Sequence, residues 1–146
     1  DQGTYHDQAR KLGITEHIDW KNAIYEEYKL ASLFTASDCF VYPGTAGLSI
    51  VHALAYGLPC IIHGDYALHG PEAFEVRDNI NGLCFRRNDF FSLADTIVTL
   101  LQDELLRNRL SEGAYTTFEN EFKYQHMIDN FQSSLYRASL ISKQKR

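Results

Sequence analysis

Between Cys39 and Ile62 the chain passes from an uninterrupted apolar run into a glycine-bracketed loop, a helical segment, a tight turn and a second uninterrupted apolar run. The first run, Cys39-Phe40-Val41-Tyr42, stops at Pro43, and the second, Cys60-Ile61-Ile62, follows Gly57-Leu58-Pro59. Strands covered by helices on both faces are continuously apolar rather than alternating, so both runs are expected to be buried parallel strands and residues 39–62 a single βαβ unit. The helix between them is expected to open near Ala46, and the first amides of a helix have no intrahelical partner. Free donors, the positive end of the helix dipole and two glycines that let a ligand approach the backbone make Gly44, Thr45, Ala46, Gly47, Leu48 and Ser49 a candidate anion site, with phosphate the usual occupant.

A second argument reaches the same place. Ligands of open parallel sheets sit at the carboxyl ends of the strands, and those ends are Pro43-Gly44 and His63-Gly64-Asp65. The competing use of the glycines is simply to make tight turns.

The remaining chain is read around this unit. Tyr5 to Leu12 is expected to be a helix closed by Gly13, and His17-Ile18-Asp19-Trp20 a short strand with Asn22-Ala23-Ile24 as its exit loop. Tyr25 to Ser37 carries apolar residues at helical spacing, with Glu26 and Glu27 in its first turn. His63 to Glu72 is a long irregular connection of the kind that contacts ligands. Gly82-Leu83-Cys84-Phe85 reads as a strand, Asn88-Asp89 leads into a helix through Leu101, and a further helix covers about 104–122. A last helix carries the apolar stripe Met127, Ile128, Phe131, Leu135, Tyr136 and Leu140, suited to core or interdomain packing. Strand and helix alternate through the first hundred residues, so the expected fold is α/β: a Rossmann-like parallel sheet flanked by helices, with a helical tail.

Length and charge narrow the function. A chain of 146 residues is long enough to bury a core as one domain. Its net charge of -5 argues against nucleic acid as the main partner, and the basic Lys143-Gln144-Lys145-Arg146 terminus is short. No apolar run approaches the ~20 residues that span a bilayer, which gives a cytoplasmic expectation. Cys39, Cys60 and Cys84 are odd in number and lack pair spacing, as expected of reduced thiols without a nucleophilic role. His63, Asp65 and His69 match no diagnostic metal spacing, so no metal is expected there.

With these pieces placed, the chain resembles the C-terminal nucleotide-sugar-binding domain of retaining GT-B glycosyltransferases, the group that includes glycogen synthases and bacterial polysaccharide mannosyltransferases. The resemblance is carried by Leu12-Gly13-Ile14, Ala36-Ser37-Asp38-Cys39-Phe40-Val41-Tyr42-Pro43, Gly47-Leu48, Ala53-Leu54-Ala55-Tyr56-Gly57-Leu58-Pro59, Pro71-Glu72 and Asn81-Gly82-Leu83. It implies the C-terminal half of the GT-B fold, N-terminally truncated, with a donor-binding domain over residues 1–122 and a C-terminal helix over 123–146. It implies also a bacterial enzyme that moves a sugar from a nucleotide diphosphate to a polysaccharide or glycolipid acceptor, with retention and without a cofactor. The acceptor would be bound by a separate N-terminal domain, and the full-length protein would be cytoplasmic or peripheral at the inner membrane.

The family's paired glutamates, seven residues apart, are absent: His52 stands where the second is expected and Gly44 near the first. His52 is thereby implied as the ribose contact, and imidazole can donate to or accept from a hydroxyl. The other reading of His52 is a ring packed between helix and sheet. Ile24 and Tyr25 are the candidate wall for the base, Tyr25 serving to stack or standing as a surface residue. His63, Asp65 and Glu72 are expected near the sugar, Glu72 otherwise starting a helix behind Pro71. Upstream strands of the family lie before Asp1, so the fragment is expected to lack activity alone and to dimerise through exposed sheet edges. Two rival readings are a noncatalytic nucleotide-binding module and a sugar-nucleotide epimerase of the same architecture.

Overall fold

A computed structural model describes residues 2–144, with side-chain surroundings for residues 3–137. The Leu140 side chain and the basic terminus as a whole lie outside these limits. The chain divides into two compact units, 1–31 and 32–146.

The first unit contains helix α1 (Gln2–Lys11). Gly13, at φ 68°, closes it in the left-handed conformation that glycine adopts without steric cost. The strand expected at His17 to Trp20 is not formed. Thr15–His17 is a single 3-10 turn, and the residues after it pair with no strand among those described. A four-residue run of moderate propensity becomes a strand only when an edge is available to pair with it. His6 and Trp20 instead stack with ring centroids 4.1 Å apart. Helix α2 (Glu27–Thr35) crosses into the second unit.

In the second unit, β1 (Phe40–Tyr42), β2 (Cys60–His63) and β3 (Gly82–Phe85) form a parallel sheet in the order β1-β2-β3. Phe40 pairs with Cys60, and Cys60 with Gly82, so all three strands begin in register and end on one side. Helices α3 (Ser49–Ala55), α4 (Phe90–Gln102) and α5 (Glu104–Thr117) complete the layers. Two apolar clusters sit on the two faces of the sheet. One joins Ile50, Leu54, Cys60 and Ile62 to Ala114, and the other joins Ile61, Leu83 and Phe85 to Leu100 and Leu110. This alternation of Ile61 and Ile62 between clusters is why β2 is continuously apolar and fully buried.

β1 departs from the sequence expectation. As an edge strand it is only half-buried, and Tyr42 is exposed. Of the three cysteines Cys60 is buried, whereas Cys39 and Cys84 are only half-buried and Cys39 falls one residue before β1. Burial raises the Cys39 and Cys84 thiols above their ordinary range and pushes Cys60 up to about 12, so all three are poor nucleophiles near neutral pH.

Both later helices are capped by aspartate, Asp89 accepting from the Ser92 amide at 2.9 Å and Asp103 from the Leu106 amide at 2.9 Å. The helix expected to reach residue 122 ends at Thr117 and passes into a π-helical turn, Phe118–Phe122. Helix α6 (Tyr124–Gln144) follows. Most of its stripe is not covered: Met127, Phe131, Leu135 and Tyr136 are exposed, and Ile128 is half-buried. None of the described helices is long and apolar enough to cross a membrane.

Candidate functional site

The β1-to-α3 loop lies at the carboxyl end of the sheet, beside the segment that leaves β2. Its helix opens later than expected. α3 begins at Ser49 and has seven residues, because the backbone from Pro43 to Leu48 turns without helical pairing. The Ala46 amide is not available to a ligand. It donates to His69 Nδ1 at 3.0 Å, and Ala46 is 1% exposed. Ala46 is therefore removed from the set of candidate anion donors.

The neighbouring amides differ. Those of Gly47, Leu48 and Ser49 have no partner among the described residues, Leu48 is exposed, and Gly44 and Thr45 are exposed before them. Such amides are potential donors to an anion.

His52, one turn into α3, is exposed, and its ring is stacked 6.3 Å from Phe34 of α2. It is thus a surface ring on an aromatic support rather than one packed between helix and sheet. Phe34 also stacks on Tyr56 at 5.3 Å and Phe40 at 6.2 Å. Helical spacing made Phe34 visible as an apolar position, but not as the support of His52.

The segment after β2 closes over the loop from the other side. Two 3-10 turns, Tyr66–Leu68 and Pro71–Glu75, replace the irregular connection expected there. The Gly70 amide donates to the Ala46 carbonyl at 2.8 Å. A Cβ on Gly70 would lie 2.8 Å from Glu72 Oε2 and 3.3 Å from Gly47 Cα, so a side chain there would displace the Glu72 carboxylate and crowd the approach of the two segments. The Glu72 carboxylate, half-buried, consequently faces the Gly47 backbone.

His63 is 3% exposed at the end of β2 and its Nδ1 accepts from the Asp65 amide at 3.2 Å. Burial first, then His69 and Arg87, lower its pKa. Asp65 is exposed and lies 3.7 Å from Arg87. Sequence reading did not single out Arg87 or Gly70 and saw His69 only as a rejected metal ligand. The Gly70-Pro71 pair after His69 was the available sign of a close backbone approach. Among the described residues no cluster of three or more metal-ligating side chains is assembled.

Ile24 and Tyr25 belong to the first unit, in the irregular stretch before α2, where Tyr25 is 91% exposed and Ile24 half-buried.

Residues 1–117 match the family described as glycosyl transferases group 1. The chain belongs to that family. The transferase domain also superposes on solved structures of the GT-B type. A sucrose-phosphate synthase from Thermosynechococcus elongatus matches with TM-score 0.78 and 23% identity over 94% of this chain and 34% of its own. The C-terminal domain of the group 1 glycosyl transferase LpcC from Francisella tularensis matches with TM-score 0.70 and 21% identity, over 84% of this chain and 63% of its own. Anabaena HepE, solved with UDP, matches with TM-score 0.77 and 19% identity over 92% of this chain and 36% of its own. HepE has also been solved with UDP-glucose. No curated protein sequence matches the chain. The transferase domain spans about a third of the length of the synthase and of HepE, and its fold is that of the C-terminal half of a GT-B glycosyltransferase.

Proposed function

We propose that this domain holds the nucleotide diphosphate-sugar donor of a bacterial glycosyltransferase that acts on a polysaccharide or glycolipid acceptor with retention of configuration. The observation that carries the reading is the trio of unpartnered amides at Gly47, Leu48 and Ser49, at the carboxyl end of parallel strands and opposite Glu72. Loss of a diphosphate leaving group builds negative charge on its oxygens, and preset backbone donors at that position stabilise it without a metal or other cofactor. A carboxylate cannot share the phosphates' position, so Glu72 is assigned to hydroxyls of the donor sugar, and His63 and Asp65 to the vicinity of that sugar. His52 is assigned to the ribose.

Acceptor binding is assigned to an N-terminal domain, and pairing through the open edge of β1 to a dimer. The solved complexes of HepE with UDP and UDP-glucose support a nucleotide-sugar as the class of ligand. The cytoplasm, with peripheral contact at the inner membrane, is the proposed location.

Calorimetric titration with UDP and GDP tests this. One nucleotide should bind the wild type, and His52→Ala should weaken it about tenfold, or ~1.4 kcal/mol. A wild type that ignores both would instead favour a noncatalytic module, the reading suggested by the occupied Ala46 amide and by the absence of the paired glutamates. Product analysis would separate transfer from epimerisation.

A further inference from the structure

We propose that His69 is a positioning residue that sets the β1-to-α3 loop for the donor, and that it does so only while its imidazole is neutral. The inference rests on the donor-site reading above.

The loop from Pro43 to Leu48 has no regular structure, yet Ala46 at its centre is held on both of its backbone groups. Its amide donates to His69 Nδ1 at 3.0 Å, and its carbonyl accepts from the Gly70 amide at 2.8 Å. The ring is anchored in turn, with Nε2 2.9 Å from the carbonyl of His63 at the end of β2. An amide only donates and a carbonyl only accepts, so these two contacts select one state of the ring: neutral, with its proton on Nε2. Protonating Nδ1 would set one N–H against another and free the Ala46 amide. The unpartnered amides of Gly47 and Leu48 follow immediately in the chain, so their direction depends on this anchor.

The surroundings bear on the same equilibrium. His69 stacks on His63 with centroids 3.9 Å apart, and Tyr66 meets it edge-on at 6.3 Å. Two stacked imidazoles repel when both are charged, and for His63 that repulsion by His69 acts in the same direction as burial and Arg87. The carboxylates nearby are Glu72, against Gly70, and Asp65, 3.7 Å from Arg87. The Tyr66 hydroxyl is committed to the Val76 carbonyl at 2.7 Å and does not serve the ring. Glutamine offers an acceptor oxygen and a donor nitrogen but does not titrate, so His69→Gln should keep the anchor and lose its dependence on pH.

The test is heteronuclear magnetic resonance of the full chain from about pH 8 to about pH 5, across the ordinary histidine range. The Nε2–H tautomer of His69 is expected at the upper limit. Exchange of the Ala46 amide, corrected for its intrinsic pH dependence, should accelerate at least about tenfold as His69 titrates, while the Ile61 amide in β2 stays protected. His69→Gln should keep Ala46 protected throughout, and His69→Phe should leave it unprotected throughout. An Ala46 amide indifferent to the titration, an Nδ1–H tautomer, or a protected Ala46 in His69→Phe would overturn the anchor. Titration with UDP and GDP then completes the test, the affinity for the one that binds expected to fall about tenfold over the same interval in wild type but not in His69→Gln. A wild type whose loop releases while its nucleotide affinity stays level overturns the positioning role. A wild type that binds no nucleotide overturns the donor reading, and the anchor is then decided by Ala46 exchange alone.

Discussion

The two margins of the sheet are built differently. Along β3 the chain covers its own edge: the Cys84 amide donates to Asp78 Oδ1 at 2.8 Å and the Arg86 amide to Ser92 Oγ at 3.0 Å. Behind that edge, Asn81 is fully buried with each side-chain atom engaged. Its Oδ1 accepts from the Arg77 amide at 2.7 Å, and its Nδ2 donates to the Glu75 carbonyl at 2.7 Å and to Thr117 Oγ1 at 2.8 Å. The outer side of β1 pairs with no strand among the described residues, and the loop beyond it is held to the segment after β2 through both backbone groups of Ala46. A covered edge resists strand addition, whereas an open one invites it. Structural cost is thus concentrated near β3, which leaves the region around β1 free to carry recognition.

Substitutions on the two sides should differ accordingly. The largest effect is expected from Gly82→Ala, whose methyl would overlap the Cys60 carbonyl between β2 and β3, and soluble expression with circular dichroism should show a chain that does not fold. Asn81→Ala strands the Arg77 amide, the Glu75 carbonyl and the Thr117 hydroxyl and should cost roughly 3 kcal/mol in a urea titration. Asp78→Ala uncovers one exposed edge amide and should cost about 1 kcal/mol, with a rise in self-association by light scattering. On the β1 side, Tyr42→Ala should cost no more than about 0.5 kcal/mol, and a loss comparable to that of Asn81→Ala would erase the contrast.

Acidification probes the carboxyl end between the two margins. The folded pKa of His63 lies below its unfolded value, so the unfolded chain binds more protons as pH falls from about 6.5. The stability that neutral His63 contributes is present above that pH and is lost as pH falls toward the folded value. Thermal midpoints measured between about pH 7 and pH 5 should decline, and His63→Phe should flatten part of that decline.

What the sequence reveals follows the range of the interactions that decide each feature. β2 and β3 were legible because continuous apolar residues with glycine and proline at their ends report burial directly, and Gly82–Phe85 matched its expected limits. Asp89 likewise announces the helix that it caps. The strand at His17 to Trp20 failed because local propensity cannot supply a partner, and the burial of β1 failed because an apolar run does not disclose whether its strand lies at an edge. In the site, the position of the glycine loop was readable. The loss of Ala46 as a donor was not, since its partner lies 23 residues away and is selected by the path of the whole segment after β2.

Asn81 joins the turn at Glu75 to Arg77, the start of β3 and the last turn of α5 through one side chain. Those three pieces cannot loosen one at a time, because release of any of them abandons a buried polar atom of the amide. Fraying that starts at the end of α5 should therefore pass into the base of β3 in a single cooperative step.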